Sequence, residues 1–347
     1  MNAKLKQLVS QFPKSNIDAL LVTHDVNIRY LTDFPASESW LLVTPKKAVY
    51  ITDFRYVLEA QKGLKGISVE CYTKSFFDTV SDLSNRLRIK HLGFDERHLS
   101  LAAYLRLKQA AGSAAKLKAT NNLVENLRII KTKEELSLTR QAIKITLEAY
   151  AFIGKRVKPG LTEQQILADL ENFVKAKKVG FSFSPIVAGG PNSCFPHAKV
   201  TERKLKNNEP LLIDMGIDVK GYKSDLTRMF FLGKIPPLVK KVNECVKEAQ
   251  QRAIDKVKPG RLASFIDAQA RNYLESKDLG KYFGHSLGHG VGLEIHEAPT
   301  ISQKSNAVLK ENMIFTVEPA VYIPNQFGIR IEDMVLVTER GCEILTR

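Results

Sequence analysis

Only four cysteines, Cys71, Cys194, Cys245 and Cys342, occur in 347 residues, and no two form a CxxC pair. That scarcity excludes a disulfide-framed scaffold and a thiolate zinc site, and fits reduced thiols in a cytoplasmic protein. No apolar run approaches the ~20 residues needed to span a bilayer, so no membrane partner is expected. The opening residues, MNAKLKQLVSQFPKS, interleave charge with apolar side chains and lack a signal-peptide core. A P-loop and a strand-borne G-x-G-x-x-G are missing, which removes the usual phosphate cradles.

Apolar residues make up 44% and charged residues 26% of the chain, ordinary globular values that exclude disorder. The length suits two domains. Lys and Arg outnumber Asp and Glu by 52 to 37, a formal charge of +15. The excess is scattered. Its densest clusters, Lys175-Lys177-Lys178 and Arg203-Lys204-Lys206, are short and read as solvated faces, so nucleic acid is not an expected partner.

Residues 18 to 120 alternate between strand-like runs (DALLVT, SWLLVTPKKAVYIT, HLGFD) and helical spacing at 76–87 and 101–111, which predicts a small α/β domain. Thr132-Lys133-Glu134-Glu135 is a capping box. Behind it Leu136, Ile143, Leu147 and Tyr150 form one stripe of a long helix. The expected boundary is near residue 122, giving domains 1–122 and 123–347.

The second half contains a repeat. Val157-Lys158-Pro159-Gly160 recurs as Val257-Lys258-Pro259-Gly260, and Ile166, Ala168, Asn172, Gly180 and Phe183 recur at the same offset as Ile266, Ala268, Asn272, Gly280 and Phe283. Each copy predicts a turn, a helix, a glycine-marked strand and then a hairpin. Two copies cannot make a solenoid, so they should pack about a pseudo-two-fold axis with a shared central site.

Each hairpin carries two carboxylates in apolar surroundings: Asp214 and Asp225 in the first, Glu318 and Glu332 in the second. Ionised carboxylates in a core cost several kcal/mol unless paired or bound to a cation. Arg228 and Arg330 lie near enough in sequence to offer a buried ion-pair network. His285, His289 and His296 within FGHSLGHGVGLEIHEAP, together with His197 in PNSCFPHA, favour metal chemistry over that reading. Oxygen-rich ligation without thiolate suits Mn(II), Co(II), Fe(II) or Zn(II) in a two-ion site, where bridging carboxylates can hold a hydroxide.

The ordered set Asp214, Asp225, His289, Glu318 and Glu332 resembles the metal ligands of the pita-bread metallopeptidases. The stretches FSFSPIVAGGPNSCFPHA, LLIDMGIDVKGYKSDLTR, GHSLGHGVGLEIHE, FTVEPAVY and GIRIEDMVLV resemble their proline-specific branch, the Xaa-Pro aminopeptidases and prolidases. The first ~120 residues resemble that branch's creatinase-type N-terminal domain. The resemblance implies an α+β pita-bread fold behind a smaller α/β domain. It implies two divalent ions, Mn(II) foremost, peptide substrates with proline second, and a homodimer. Asp225 and Glu332 would bridge the ions, Asp214 would bind one, and His289 and Glu318 would complete the other. Glu318 would also shuttle a proton. His296 would polarise the scissile carbonyl, His197 and His285 would line the prolyl side as catalytic and substrate-binding residues, and Arg330 would lie near substrate, unless these last three only hold the ligands in place. Dipeptidase and aminopeptidase variants both remain open. The alternative is a non-catalytic module on the same fold that contacts RNA or ribosomes.

Overall fold

The computed structural model describes residues 1–112 and 115–347. Contacts divide the chain into two compact units, Met1–Arg128 and Ile129–Arg347. The division falls six residues later than the boundary expected at 122. The reason is the short helix Glu125–Arg128: Asn27 donates to Glu125, and the Tyr30 hydroxyl donates to the carbonyl of Leu127, which tie that helix to the first unit.

In the first unit the apolar runs become a six-stranded mixed sheet, in the order Ser68–Cys71, Ala48–Thr52, Trp40–Val43, Ala19–Val22, His91–Asp95, Lys116–Thr120. Strands Trp40–Val43 and Ala48–Thr52 pair antiparallel through a tight turn, and the parallel pairs are joined through helices. Helices Phe76–Arg86 and Leu101–Ala111 occupy the predicted segments, each capped by a serine, Ser75 and Ser100. Trp40 stacks on Phe76 at 4.8 Å at the margin of this core.

The second unit begins with helix Lys133–Gly154, opened by the expected Thr132/Glu135 capping box, with Ile143 and Tyr150 buried along its stripe. The duplication is visible element by element. Helix Lys133–Gly154, the VKPG turn and helix Glu163–Ala176 lead to antiparallel strands Ile186–Gly189, Glu209–Met215 and Leu226–Leu232. Helix Pro237–Ile254, the second VKPG turn and helix Ala263–Glu275 lead to Gly288–Gly290, Ile314–Val317 and Asp333–Val337 in the same antiparallel order. Both turns close alike. Gly160 and Gly260 adopt φ of 92° and 83°, a region open to glycine, and each donates its N–H to the carbonyl of an equivalent leucine, Leu205 or Leu309. The copies diverge at the second glycine mark: Gly180 starts a strand, but Gly280 starts the short 3₁₀ turn Gly280–Tyr282.

Each copy packs its helices on its own sheet. Ile153, Ile166, Leu170, Val187 and Ile213 form one core, and Ile266, Leu274, Phe315, Val317 and Val335 another. At ~1.5–3 kcal/mol per buried aliphatic side chain, these layers fix the strand ends that carry the acidic residues. No described helix is long and apolar enough to cross a membrane.

Candidate metal centre

Strand register brings the acidic residues together. Asp214 lies inside Glu209–Met215 opposite Thr227. Asp225 stands just before Leu226–Leu232 instead of within that strand. In the second copy Val317 pairs with Asp333, so Glu318 and Glu332 leave paired strands side by side at their junctions. A bulge at His289/Gly290 breaks the ladder there and turns the imidazole out of the regular pleat. The Tyr150 hydroxyl reaches the carbonyls of Ile213 at 2.9 Å and Leu226 at 2.5 Å, clamping the two strands beside Asp214 and Asp225.

His289 Nε2 lies 3.5 Å from Asp225 Oδ2 and 3.3 Å from Glu318 Oε1. Ligand atoms of Asp225, His289 and Glu332 all fall within 4.8 Å of one another. The Nδ1 of His289 sits 3.1 Å from the Gly290 carbonyl, which can only accept, so the proton is on Nδ1 and Nε2 faces the carboxylates. Thr316 Oγ1 donates to Glu318 Oε1, and Thr227 Oγ1 donates to Glu332 Oε2. Oδ1 of Asp214 is buried with no hydrogen-bond partner.

Burial and neighbouring carboxylates push Asp225 and Glu332 well above the usual carboxylate range, and burial also lifts Asp214. Burial works against charge on His289 as well, but Glu318 and Asp225 outweigh it and raise the imidazole to about 9. Burial likewise opposes ionisation of Glu318, yet His289 holds it down at about 2. Two cationic side chains, Arg330 and His289, face four carboxylates. An orphaned carboxylate oxygen, four convergent carboxylates and one oriented imidazole, with no cysteine among the lining residues, fit divalent cations.

Arg330 is the counter-charge within the cluster. Its Nη2 donates to Asp214 Oδ2 at 2.5 Å, Nε to Thr227 Oγ1, and Nη1 to both the Tyr322 hydroxyl and the Pro196 carbonyl. Expected beside substrate, it has all three nitrogens committed to protein. Arg228 instead pairs with Asp333 and reaches the Glu332 carbonyl.

These residues floor a cleft of about 1160 Å³. His197, His285 and His296 line it with Phe181, Phe183 and Tyr322. The His296 ring lies 4.2 Å from that of His289, and burial together with that neighbour lowers its pKa. Burial also lowers His285. Its Nδ1 meets the Ser286 carbonyl at 2.7 Å, and the Tyr322 phenol, held protonated by burial at about 12, can donate to its Nε2 at 3.3 Å. Both nitrogens of His285 are thus occupied. His197 is exposed on the cleft wall.

Reading the residues in order missed Tyr322, which joins His285 to Arg330, although it lies within the quoted FTVEPAVY stretch. A second His/Glu grouping, His24, His98 and Glu125, lies in the first unit. There the imidazole ring centres are 3.9 Å apart and the planes 4° from parallel, so their lone pairs run side by side, and Glu125 Oε1 already meets His98 and Asn27 at 2.7 Å each. That is a hydrogen-bonded carboxylate beside a stacked ring pair. In the basic clusters, Lys177 pairs with Glu148 and Arg203 with Glu209, both at 2.5 Å.

Residues 137–339 match the model of metallopeptidase family M24, and residues 4–130 match the creatinase/prolidase N-terminal domain. The chain is 33% identical to a Xaa-Pro dipeptidase of Pyrococcus horikoshii, covering all of this chain and 97% of the relative. Among solved structures, a Xaa-Pro dipeptidase from Bacillus anthracis is 37% identical with a TM-score of 0.95, covering 99% of this chain and 97% of that one. An X-Pro aminopeptidase from Thermotoga maritima is 34% identical with a TM-score of 0.89, covering 97% of each.

Proposed function

Because the chain belongs to metallopeptidase family M24 and carries the creatinase/prolidase N-terminal domain, we propose that it is a metal-dependent peptidase cleaving between an N-terminal residue and proline. The observation that carries this reading is the convergence of Asp214, Asp225, Glu318, Glu332 and His289 beneath a histidine-lined cleft. Asp225 and Glu332, one from each half, would hold both of a pair of ions, Asp214 would offer its unpartnered Oδ1 to one, and His289 Nε2 and Glu318 would serve the other. When bound, two divalent ions supply Lewis acidity and a water acidic enough to attack at neutral pH. Mn(II) is foremost for so oxygen-rich a donor set, with Co(II), Fe(II) and Zn(II) as competitors.

Glu318 takes the proton of the attacking water and returns it to the leaving proline nitrogen. His296, kept neutral by burial and its imidazole neighbour, donates to the developing oxyanion. A bond to proline has no N–H to grip, so recognition must come from shape. Phe181, Phe183 and the edges of His197 and His285 supply an apolar wall for the ring. Arg330 holds Asp214 and Tyr322 in place rather than taking substrate itself. Four free cysteines support a cytoplasmic setting, and a homodimer is proposed with it, to be read by light scattering.

The test is alanine release from Ala-Pro and Ala-Pro-Ala by chelator-stripped protein refilled with Mn(II), with Asp225→Asn as control. Metal-dependent release lost in the variant is expected, and the ratio of the two substrates names the subclass. Cleavage of neither substrate with any of the four metals overturns the reading.

A further inference from the structure

One carboxylate outside the metal centre is fully buried and makes no ion pair among the described residues: Glu163, at the first position of helix Glu163–Ala176. Its Oε1 accepts from the Gly189 N–H at 2.8 Å and the Asn192 amide at 3.0 Å. Its Oε2 accepts from the Thr201 N–H at 3.0 Å, the Thr201 hydroxyl at 2.7 Å and the Asn192 amide at 3.2 Å. Every donor is neutral. A buried carboxylate without a cation persists only where such donors saturate both oxygens, and a glutamine here would point an N–H at one of them.

The partners give the arrangement its meaning. Gly189 and Thr201 are the two feet of one loop, and Asn192 is a strut inside it. From this loop Pro196, His197, Ala198, Lys199 and Val200 line the cleft. Glu163 therefore fastens both ends of the loop that carries His197, without touching the cleft itself. The other ties are single: the Gln164 N–H to the Thr201 carbonyl at 3.1 Å, Arg330 to the Pro196 carbonyl and the Gly328 N–H to the Ser193 hydroxyl.

Resting on the peptidase reading above, we propose that Glu163 is a positioning residue, a clasp that sets His197 against the substrate. Glu163→Gln should keep both metal ions, raise KM for Ala-Pro about tenfold and change kcat far less, the range that coupled contacts usually span. In a His197→Ala background the same substitution should change kcat/KM by less than about twofold, because the residue through which it acts is gone. Thr201→Val, which removes one hydroxyl donor and little volume, should show a smaller KM effect that His197→Ala likewise cancels. It decides the matter if Glu163→Gln does not fold. Effects that multiply with His197→Ala overturn the inference. Hydrogen exchange of amides 190–200, read without substrate, separates the two possible failures. Faster exchange in the variant beside an inactive wild type overturns the peptidase reading and leaves the clasp standing; unchanged exchange overturns the clasp whatever the activity.

Discussion

Replacing Arg330 with methionine tests whether the metal centre is short of positive charge. The guanidinium is buried and makes four hydrogen bonds, to Asp214, Thr227, Tyr322 and the Pro196 carbonyl. Methionine fills much of the volume but strands Asp214 among three other carboxylates. Breaking a buried pair by removing one partner costs about 3–5 kcal/mol. At ~2–4 °C per kcal/mol for a unit of this size, the unfolding midpoint of the metal-free protein should fall by roughly 6–20 °C. With Mn(II) bound, two divalent ions provide the missing charge and the deficit should shrink to the ~1–3 kcal/mol of orphaned neutral partners. Calorimetric melts with chelator and with excess Mn(II) measure both. A variant that melts within 3 °C of wild type in chelator, or whose deficit does not shrink when metal is added, refutes the charge argument.

Three further outcomes follow from the titrating groups. Loading Mn(II) at neutral pH should release protons from Asp225 and Glu332, which burial and each other keep above the carboxylate range, and from His289, raised to about 9. Calorimetry in buffers of different ionisation heat reads that release, and binding heats independent of buffer would refute it. In the metal-free protein the raised His289 contributes stability fully below its unfolded value of ~6.5 and loses it as pH climbs through about 9, so chelated samples should soften in alkali. Stability unchanged between pH 6 and 10 would contradict this. In the first unit, burial opposes ionised Glu125 but hydrogen bonds from Asn27 and His98 prevail and lower its pKa. Its contribution is present above the unfolded value of ~4.3 and lost as pH falls through the lower folded one. Glu125→Gln should cost about 1–3 kcal/mol at pH 7, and the gap should close in acid; a gap constant to pH 3 counts against it.

Much of the carboxylate cluster was legible because charge inside apolar strands is conspicuous. Asp214 and Glu332 interrupt runs of Leu, Ile and Val, and the two VKPG turns announced a duplication that the matching Gly160 and Gly260 hydrogen bonds display. What stayed hidden depends on partners distant in sequence. Arg330 finds Asp214 at a separation of 116 residues and Pro196 at 134, so nothing local showed its nitrogens to be spent. The donors to Glu163 lie 26 to 38 residues away, at Gly189 and Thr201, so its neighbours in sequence show none of them. The boundary near 122 missed the short helix after it for the same reason, since the partner of Glu125 is Asn27, 98 residues away. The second-copy Gly280 repeats the residue but not the strand, because identity at one position does not carry the pairing of its neighbours.

The division of the carboxylates, two from each half of the duplicated unit, has a consequence for the cell. On the proposed ligand set neither half alone presents enough acidic groups to retain a pair of divalent ions, so competence would arise only once both halves have closed on one another. A nascent or partly unfolded chain is therefore an inert one. For an enzyme whose substrates are peptides, this amounts to a built-in safety catch: the capacity to cut is switched on by completion of the fold and is lost with the first opening of the seam.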